Sequence, residues 1–238
     1  KHNFLRTSGP SHMGNFDLFD DQYWEAAYHN YAIFARIAKE TGMKGINFDL
    51  EDYGNRAIWK YRPACGQSWP QAYDLARQRG RRFMEVIGAE FPDIHIFVFF
   101  WLDLIRGAEE DNPQLFANLE GFTSGLLVGF INGIYDALPP GAKIIDGMEA
   151  SGYGAKNIDS LYRLRARREI NFRRLVAPEN QKKLREQTSL AVATYLDSYI
   201  NEKPPYCFRE AMQEENMTAL EFFRRNFRLG VEFSDEYV

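Results

Sequence analysis

The strongest constraint on the fold is the regular alternation of short apolar runs with longer segments of helical periodicity. The periodicity predicts strands at residues 2–7, 45–50, 94–102, 143–150, 189–196 and 235–238, and helices at 20–41, 70–90, 113–138, 157–186 and 218–229. Helices that connect successive strands in this way imply a parallel sheet with the helices outside it. The run IHIFVFFWL also has the nearly unbroken apolarity of a strand buried on both faces. We therefore predict an α/β fold.

Two architectures are compatible with this order of elements, a (β/α)8 TIM-type barrel and an open doubly wound sheet. A barrel has eight strands, and about six are recognisable in the sequence. We predict a (β/α)8 barrel that is incomplete or irregular at its ends, with the open sheet as the alternative. Because no linker or low-complexity tract interrupts the chain, residues 1–238 are predicted to form one (β/α) barrel domain.

Composition removes several classes of function. The net charge is −4, from 29 Lys and Arg against 33 Asp and Glu, whereas nucleic-acid binders usually carry a basic surplus. No apolar run approaches the roughly 18 residues of a membrane-spanning helix. Aromatic residues reach 15%, which suits a large core and also a site that stacks on sugar rings. The two cysteines, Cys65 and Cys207, are compatible with either a disulfide or two thiols.

The segment FDLEDY places two carboxylates at the end of the second predicted strand. Side chains of a strand alternate between faces, so Asp49 and Glu51 share one face while Phe48 and Leu50 take the other. The carboxyl ends of parallel strands carry the active site in such folds. Repulsion between neighbouring acids raises the pKa of one of them, as a general acid requires. The alternative is an acidic turn in which a carboxylate caps the next segment.

A second acidic strand end is IIDGMEASGYG. Asp146 and Glu149 face opposite ways in a regular strand, but Gly147 permits a bulge that brings both to the mouth of the site. The alternative is that Asp146 supports the loop by side-chain hydrogen bonds. Four carboxylates on two strands, Asp49, Glu51, Asp146 and Glu149, are thus the candidate catalytic residues.

The candidate substrate-binding residues are chosen by position and chemistry. Arg6 ends the first strand and can pair either with a substrate carboxylate or with one of the acids. The aromatic candidates for stacking on sugar faces are Tyr53, Trp59, Trp101 and Tyr153. Two further candidates come from strand ends, His12 in the loop after the first strand and Asp103 after the third.

Two acids that flank a bond, with aromatic side chains as a platform, meet the requirement of glycoside hydrolysis. One acid protonates the leaving oxygen, and the other attacks the anomeric carbon or activates water. The same pattern also suits a divalent-metal site, as in sugar isomerases or aldolases. The four histidines form no closely spaced ligand pair, so we predict no metal and no cofactor.

The runs KGINFDLEDYG, RGRRFMEVIGAEFPDIHIFVFF and AKIIDGMEASGYG resemble a largely uncharacterised group of bacterial glycoside hydrolases with TIM-barrel catalytic domains. The resemblance covers residues 3–238 and implies a glycosidase activity and a barrel fold, without indicating a substrate. It points to Asp49, Glu51, Tyr53, Asp146 and Glu149 as site residues. Members of the group usually continue past the position of Val238 into a Trp-rich strand.

The sequence therefore predicts a glycosidase with a carbohydrate partner, an oligo- or polysaccharide. Enzymes that act on polymeric glycans are usually exported, so a secreted or periplasmic location is expected. The alternatives are a metal-dependent sugar isomerase or aldolase, a non-catalytic carbohydrate-binding barrel and a structural or partner-binding domain.

Overall fold

A computed structural model describes residues 3–7, 17–51, 57–102, 105, 117–149, 153–203 and 207–237. These residues form a mixed α/β fold around one five-stranded parallel sheet. The strands lie side by side in sequence order: β1 (Phe4–Thr7), β2 (Gly45–Phe48), β3 (His95–Val98), β4 (Lys143–Asp146) and β5 (Thr188–Leu190). The prediction of a parallel sheet with helical crossovers is confirmed. Five strands do not by themselves distinguish a barrel from an open sheet.

The helices begin where the sequence offers capping side chains. The Asp20 carboxylate accepts the backbone N–H of Tyr23, and Thr218 forms a capping box with Glu221. The described α-helices are α1 (Asp21–Glu40), α2 (Trp69–Glu90), α3 (Gly125–Ala137), α4 (Ile158–Leu175), α5 (Gln181–Gln187), α6 (Asp197–Ile200), α7 (Arg209–Glu214) and α8 (Ala219–Phe233).

The helix predicted over 157–186 is interrupted in the structure. α4 ends at Leu175, and a short 3-10 helix, Pro178–Asn180, precedes α5. Proline has no backbone N–H and favours an extended conformation in the residue before it, so the helix cannot run through this point. The Asn132 side chain stabilises the break, because it donates to the Leu175 carbonyl at 2.9 Å and accepts the Ala177 N–H at 2.7 Å.

The largest core lies between one face of the sheet and helices α1 to α3. Alternate strand residues point into it, among them Phe48, which stacks on Phe83 of α2 at 4.7 Å between ring centroids. Helices α2 and α3 pack so closely that a Cβ atom on Gly80 would overlap the Phe130 carbonyl oxygen. One face of the sheet is therefore covered by helices, and the alternate strand residues point to the opposite face.

The sheet curls toward that opposite face. Tyr237 forms a parallel bridge with Ala191, just after β5, yet its ring lies 5.7 Å from the ring of Phe4 on β1. In a flat sheet these positions would be roughly 24 Å apart, at about 4.8 Å for each strand spacing. Two aromatic side chains cannot span that distance, so the strands must bend around a concave face.

The described residues bear on two questions that composition raised, a membrane-spanning helix and a disulfide. None of the helices in these parts of the chain has the length and apolarity needed to cross a membrane. Cys65 and Cys207 are both free thiols and form no disulfide with each other.

The contact between α2 and α3 leads to a stability prediction. We expect Gly80→Ala to lower the free energy of unfolding by about 2 kcal/mol, because the new methyl group forces the two helices apart. Gly121→Ala is the matched control, since a Cβ atom there has no neighbour within 4 Å. Urea unfolding measures both. Equal stabilities of the two variants would contradict the close packing.

Candidate active site

The candidate site lies on the concave face of the sheet, toward the carboxyl ends of the strands. Arg6, Asn47, Phe97 and Ile145 form one row across β1 to β4, because each pairs in register with the next. A cavity of about 450 Å³ opens over this face. Its walls include Asn47, Phe97, Phe99, Glu149, Tyr153 and Tyr195.

Glu149 reaches this cavity through an unusual turn after β4. The Gly147 N–H donates to the Val98 carbonyl at 2.8 Å, and a Cβ atom at residue 147 would lie 2.7 Å from the same oxygen. Met148 then adopts a left-handed conformation with φ of 45°. The Glu149 N–H donates to the Phe99 carbonyl at 3.0 Å, which holds the residue beside β3. A glycine at 147 is thus required for the approach that places Glu149.

The surroundings of Glu149 change its acidity. Burial disfavours the charged form, and the charges of Glu51 and Asp49 act in the same direction, so the pKa of Glu149 rises to about 7. Arg6 opposes this shift. A carboxyl group with such a pKa can hold a proton near neutral pH and release it during a reaction, as a general acid must.

Asp49 and Glu51 follow β2, and Glu149 follows β4. The two acids and Glu149 therefore lie on opposite sides of β3, close enough for their charges to interact. The Asp49 side chain is 1% exposed, and its Oδ1 accepts the Glu51 N–H at 3.0 Å. Glu51 is partly exposed. This hydrogen bond orients Asp49 within the strand end and leaves the Glu51 carboxylate the more accessible of the two.

Two tyrosines stand beside Glu149. The Tyr153 hydroxyl donates to Glu149 Oε1, and the Tyr195 ring lies 4.5 Å from the Tyr153 ring between centroids. Tyr153 was expected from the sequence, whereas Tyr195 was not. The signal for Tyr195 was available, because it lies near the carboxyl end of the predicted strand SLAVATYL, at the same edge of the sheet.

Arg6 occupies the rim of the site. Its side chain is exposed, and the guanidinium carbon lies 5.8 Å from the centroid of the Phe99 ring. The structure therefore brings together five of the predicted site residues, namely Arg6, Asp49, Glu51, Glu149 and Tyr153.

Asp146 does not join this group, and the expectation that a bulge brings it to the mouth is wrong. β4 remains regular through Asp146, so its side chain points toward the helix layer. There Asp146 is 1% exposed, pairs with Arg168 Nε at 3.4 Å and accepts the Met148 N–H at 3.2 Å. Burial raises the pKa of Asp146 and the Arg168 charge opposes that shift. Its contacts are those of a structural ion pair.

The expectation that Trp59 and Trp101 stack on a sugar is also wrong for this structure. Their exposed fractions are 2% and 0%. The Trp59 indole N–H donates to the Leu50 carbonyl at 3.2 Å, and that of Trp101 donates to the Tyr135 hydroxyl at 3.1 Å. Internal acceptors satisfy both indoles, so both rings stay in the core.

Three candidates, His12, Tyr53 and Asp103, lie outside the described residues. Within the described part of the chain, no three or more His, Cys, Asp or Glu side chains are grouped so as to hold a metal ion.

No protein-family model matches the chain, and neither the curated proteins nor the solved structures compared with it contain a match. The resemblance to bacterial glycoside hydrolases therefore stays a prediction that rests on the motifs.

The raised pKa of Glu149 predicts a pH-dependent stability. The folded state holds this proton up to about pH 7, whereas the unfolded carboxyl loses it near its ordinary value of 4.5, so wild type loses stability between these pH values. We expect Glu149→Gln to match wild type at pH 4 and to exceed its free energy of unfolding by about 1–2 kcal/mol at pH 8, allowing for solvent screening. Urea unfolding across pH tests this, with exposed Glu40→Gln as the control. A difference that stays constant with pH would contradict the shift.

The Asp146–Arg168 pair predicts a large cost for breaking one side of it. We expect Arg168→Met to lower the free energy of unfolding by about 3 kcal/mol, because the Asp146 carboxylate stays buried without its cation. The double variant with Asp146→Asn should regain part of that loss, since no buried charge remains. Thermal and urea unfolding measure both variants. A double variant less stable than Arg168→Met alone would contradict a structural pair.

Proposed function

We propose that this protein is a glycoside hydrolase whose reaction uses Glu149 and Glu51. One observation carries the proposal: Glu149 has a pKa near 7 in a cavity with aromatic walls, and the Asp49 and Glu51 carboxylates face it. A proton-holding carboxyl opposed by a carboxylate is the arrangement that glycosidic cleavage requires.

The roles follow from accessibility and acidity. Glu149 acts as the general acid and protonates the glycosidic oxygen as the bond to the anomeric carbon breaks. Glu51, the more exposed of the facing carboxylates, attacks the anomeric carbon or activates the water that does so. Asp49 is buried, and its charge helps to keep Glu149 protonated before the reaction. The Tyr153 hydroxyl orients the Glu149 carboxyl through its hydrogen bond.

The walls of the cavity suit a sugar ring. Phe99, Tyr153 and Tyr195 present aromatic surface, and sugar rings have apolar faces that pack well against such surface. The cavity volume of about 450 Å³ lies in the range of small-molecule sites. The substrate we propose is therefore an oligo- or polysaccharide, with one ring held next to Glu149.

We also propose that the curled sheet is part of a (β/α)8 barrel. The support is threefold: the strands are parallel and in sequence order, helices α1 to α3 cover one face, and the ring contact between Phe4 and Tyr237 requires strong curvature. The candidate acids lie at the carboxyl ends of the strands, where barrel enzymes hold their active sites.

The test is turnover of chromogenic glycosides and natural polysaccharides, with and without EDTA. We expect turnover that resists the chelator, falls above pH 7 as Glu149 loses its proton, and drops about 100-fold or more in Glu149→Gln and in Glu51→Gln. Glu85→Gln, which removes a carboxylate from the surface of α2, is the matched control and keeps wild-type turnover.

Two results would redirect the interpretation. Turnover abolished by EDTA would favour a metal-dependent sugar enzyme that uses the same acids as ligands. Sugar binding that survives in Glu149→Gln, with no turnover by any variant or by wild type, would favour a non-catalytic carbohydrate-binding protein.

A further inference from the structure

Arg6 is the feature of the site that the proposed reaction does not use. It belongs to β1 and pairs in register with Asn47, so its side chain extends from the concave face of the sheet. Its guanidinium carbon lies 5.8 Å from the centroid of the Phe99 ring, and the Phe99 carbonyl accepts the Glu149 N–H. An exposed cation therefore lies on the rim of the cavity, close to Glu149, the residue proposed as the acid.

In the described part of the chain, Arg6 has no acid as a direct partner. Among the described residues, no carboxylate lies within ion-pair distance of its guanidinium, although Glu149 is close enough to be influenced by its charge. The Arg6 side chain is exposed, whereas Arg168, the partner of the buried Asp146, is itself buried. Of the two possibilities that the sequence left open for Arg6, a substrate anion fits these contacts better.

We propose that Arg6 binds an anionic group on the substrate, so that the sugars hydrolysed here are acidic ones that carry a carboxylate or a sulfate. This inference rests on the proposed hydrolase function. The exposed Arg6 guanidinium presents its N–H groups as a planar fork, which matches the oxygens of a carboxylate or a sulfate.

The negative charges around the cavity make Arg6 important for the choice between acidic and neutral sugars. The charges of Asp49 and Glu51 lie beside the cavity, so an anionic sugar entering the site meets repulsion. A neutral sugar has no need of a cation on the rim. Arg6 offsets the repulsion only for a substrate whose anionic group reaches it, and its loss should therefore penalise acidic substrates selectively.

The test compares three nitrophenyl glycosides, a glucuronide, a 6-sulfated glucoside and a neutral glucoside, in wild type and in Arg6→Gln. We expect wild type to prefer at least one acidic substrate, and the preference, as a ratio of kcat/KM values, to fall tenfold or more in Arg6→Gln. Arg163→Gln, which removes an exposed arginine from α4, should leave the ratio unchanged. The preferred acidic substrate identifies the group as carboxylate or sulfate.

The outcomes separate this inference from the proposed function. Turnover of all three glycosides with the same preference in wild type and Arg6→Gln would overturn the role of Arg6 and leave the hydrolase standing. If no glycoside is cleaved, calorimetric titration with glucuronate, glucose 6-sulfate and glucose decides. Acidic-sugar binding that is lost in Arg6→Gln would support anion recognition without hydrolysis, and no Arg6-dependent binding would overturn it.

Discussion

The packing of Phe48 against the helices is the contact on which the candidate site depends. Phe48 stacks on Phe83 at 4.7 Å and contacts Tyr31 edge to face at 5.4 Å, which fixes the face of β2 that enters the core. Side chains of a strand alternate, so a slip of one residue would exchange the two faces. The acids after β2 therefore reach the concave face because the aromatic residues beside them are buried in the opposite direction.

The same fold places the Glu149 carboxyl where its charged form is unfavourable. The strained Met148 and the close approach at Gly147 bring its carboxyl between burial and two other acids, which raises its pKa. Each of these features opposes stability at neutral pH. Asp146, three residues earlier, is also buried, but Arg168 lies beside its carboxyl as an ion-pair partner. The end of β4 thus places one acid in an ion pair and another, Glu149, where its pKa is raised.

Local patterns predicted much of the fold. The alternation of strands with helices depends on neighbours in the chain, and the structure agrees with it; α1 and α8 begin at the capping residues Asp20 and Thr218. The break at Pro178 shows the limit of periodicity, which continued through a residue that cannot donate the helical hydrogen bond. For the site, the sequence predicted the strand-end acids as candidates. It did not predict which of their side chains point into the cavity and which point toward the helices. Trp59 and Trp101 were expected to stack on sugars, but in the folded protein both pack in the core, where Leu50 and Tyr135 accept their indole N–H groups.

The amino-acid order was sufficient to establish a parallel α/β fold and to place carboxylates at the ends of strands. These properties follow from spacing along the chain, through the periods of helices and strands. The pairing of Asp146, the pKa of Glu149, the contact of Tyr195 with Tyr153 and the exposure of Arg6 beside Phe99 arise only in the folded protein. The reason is physical: desolvation and charge interactions depend on distances in space between groups that lie far apart in the chain, and the curvature of the sheet sets those distances.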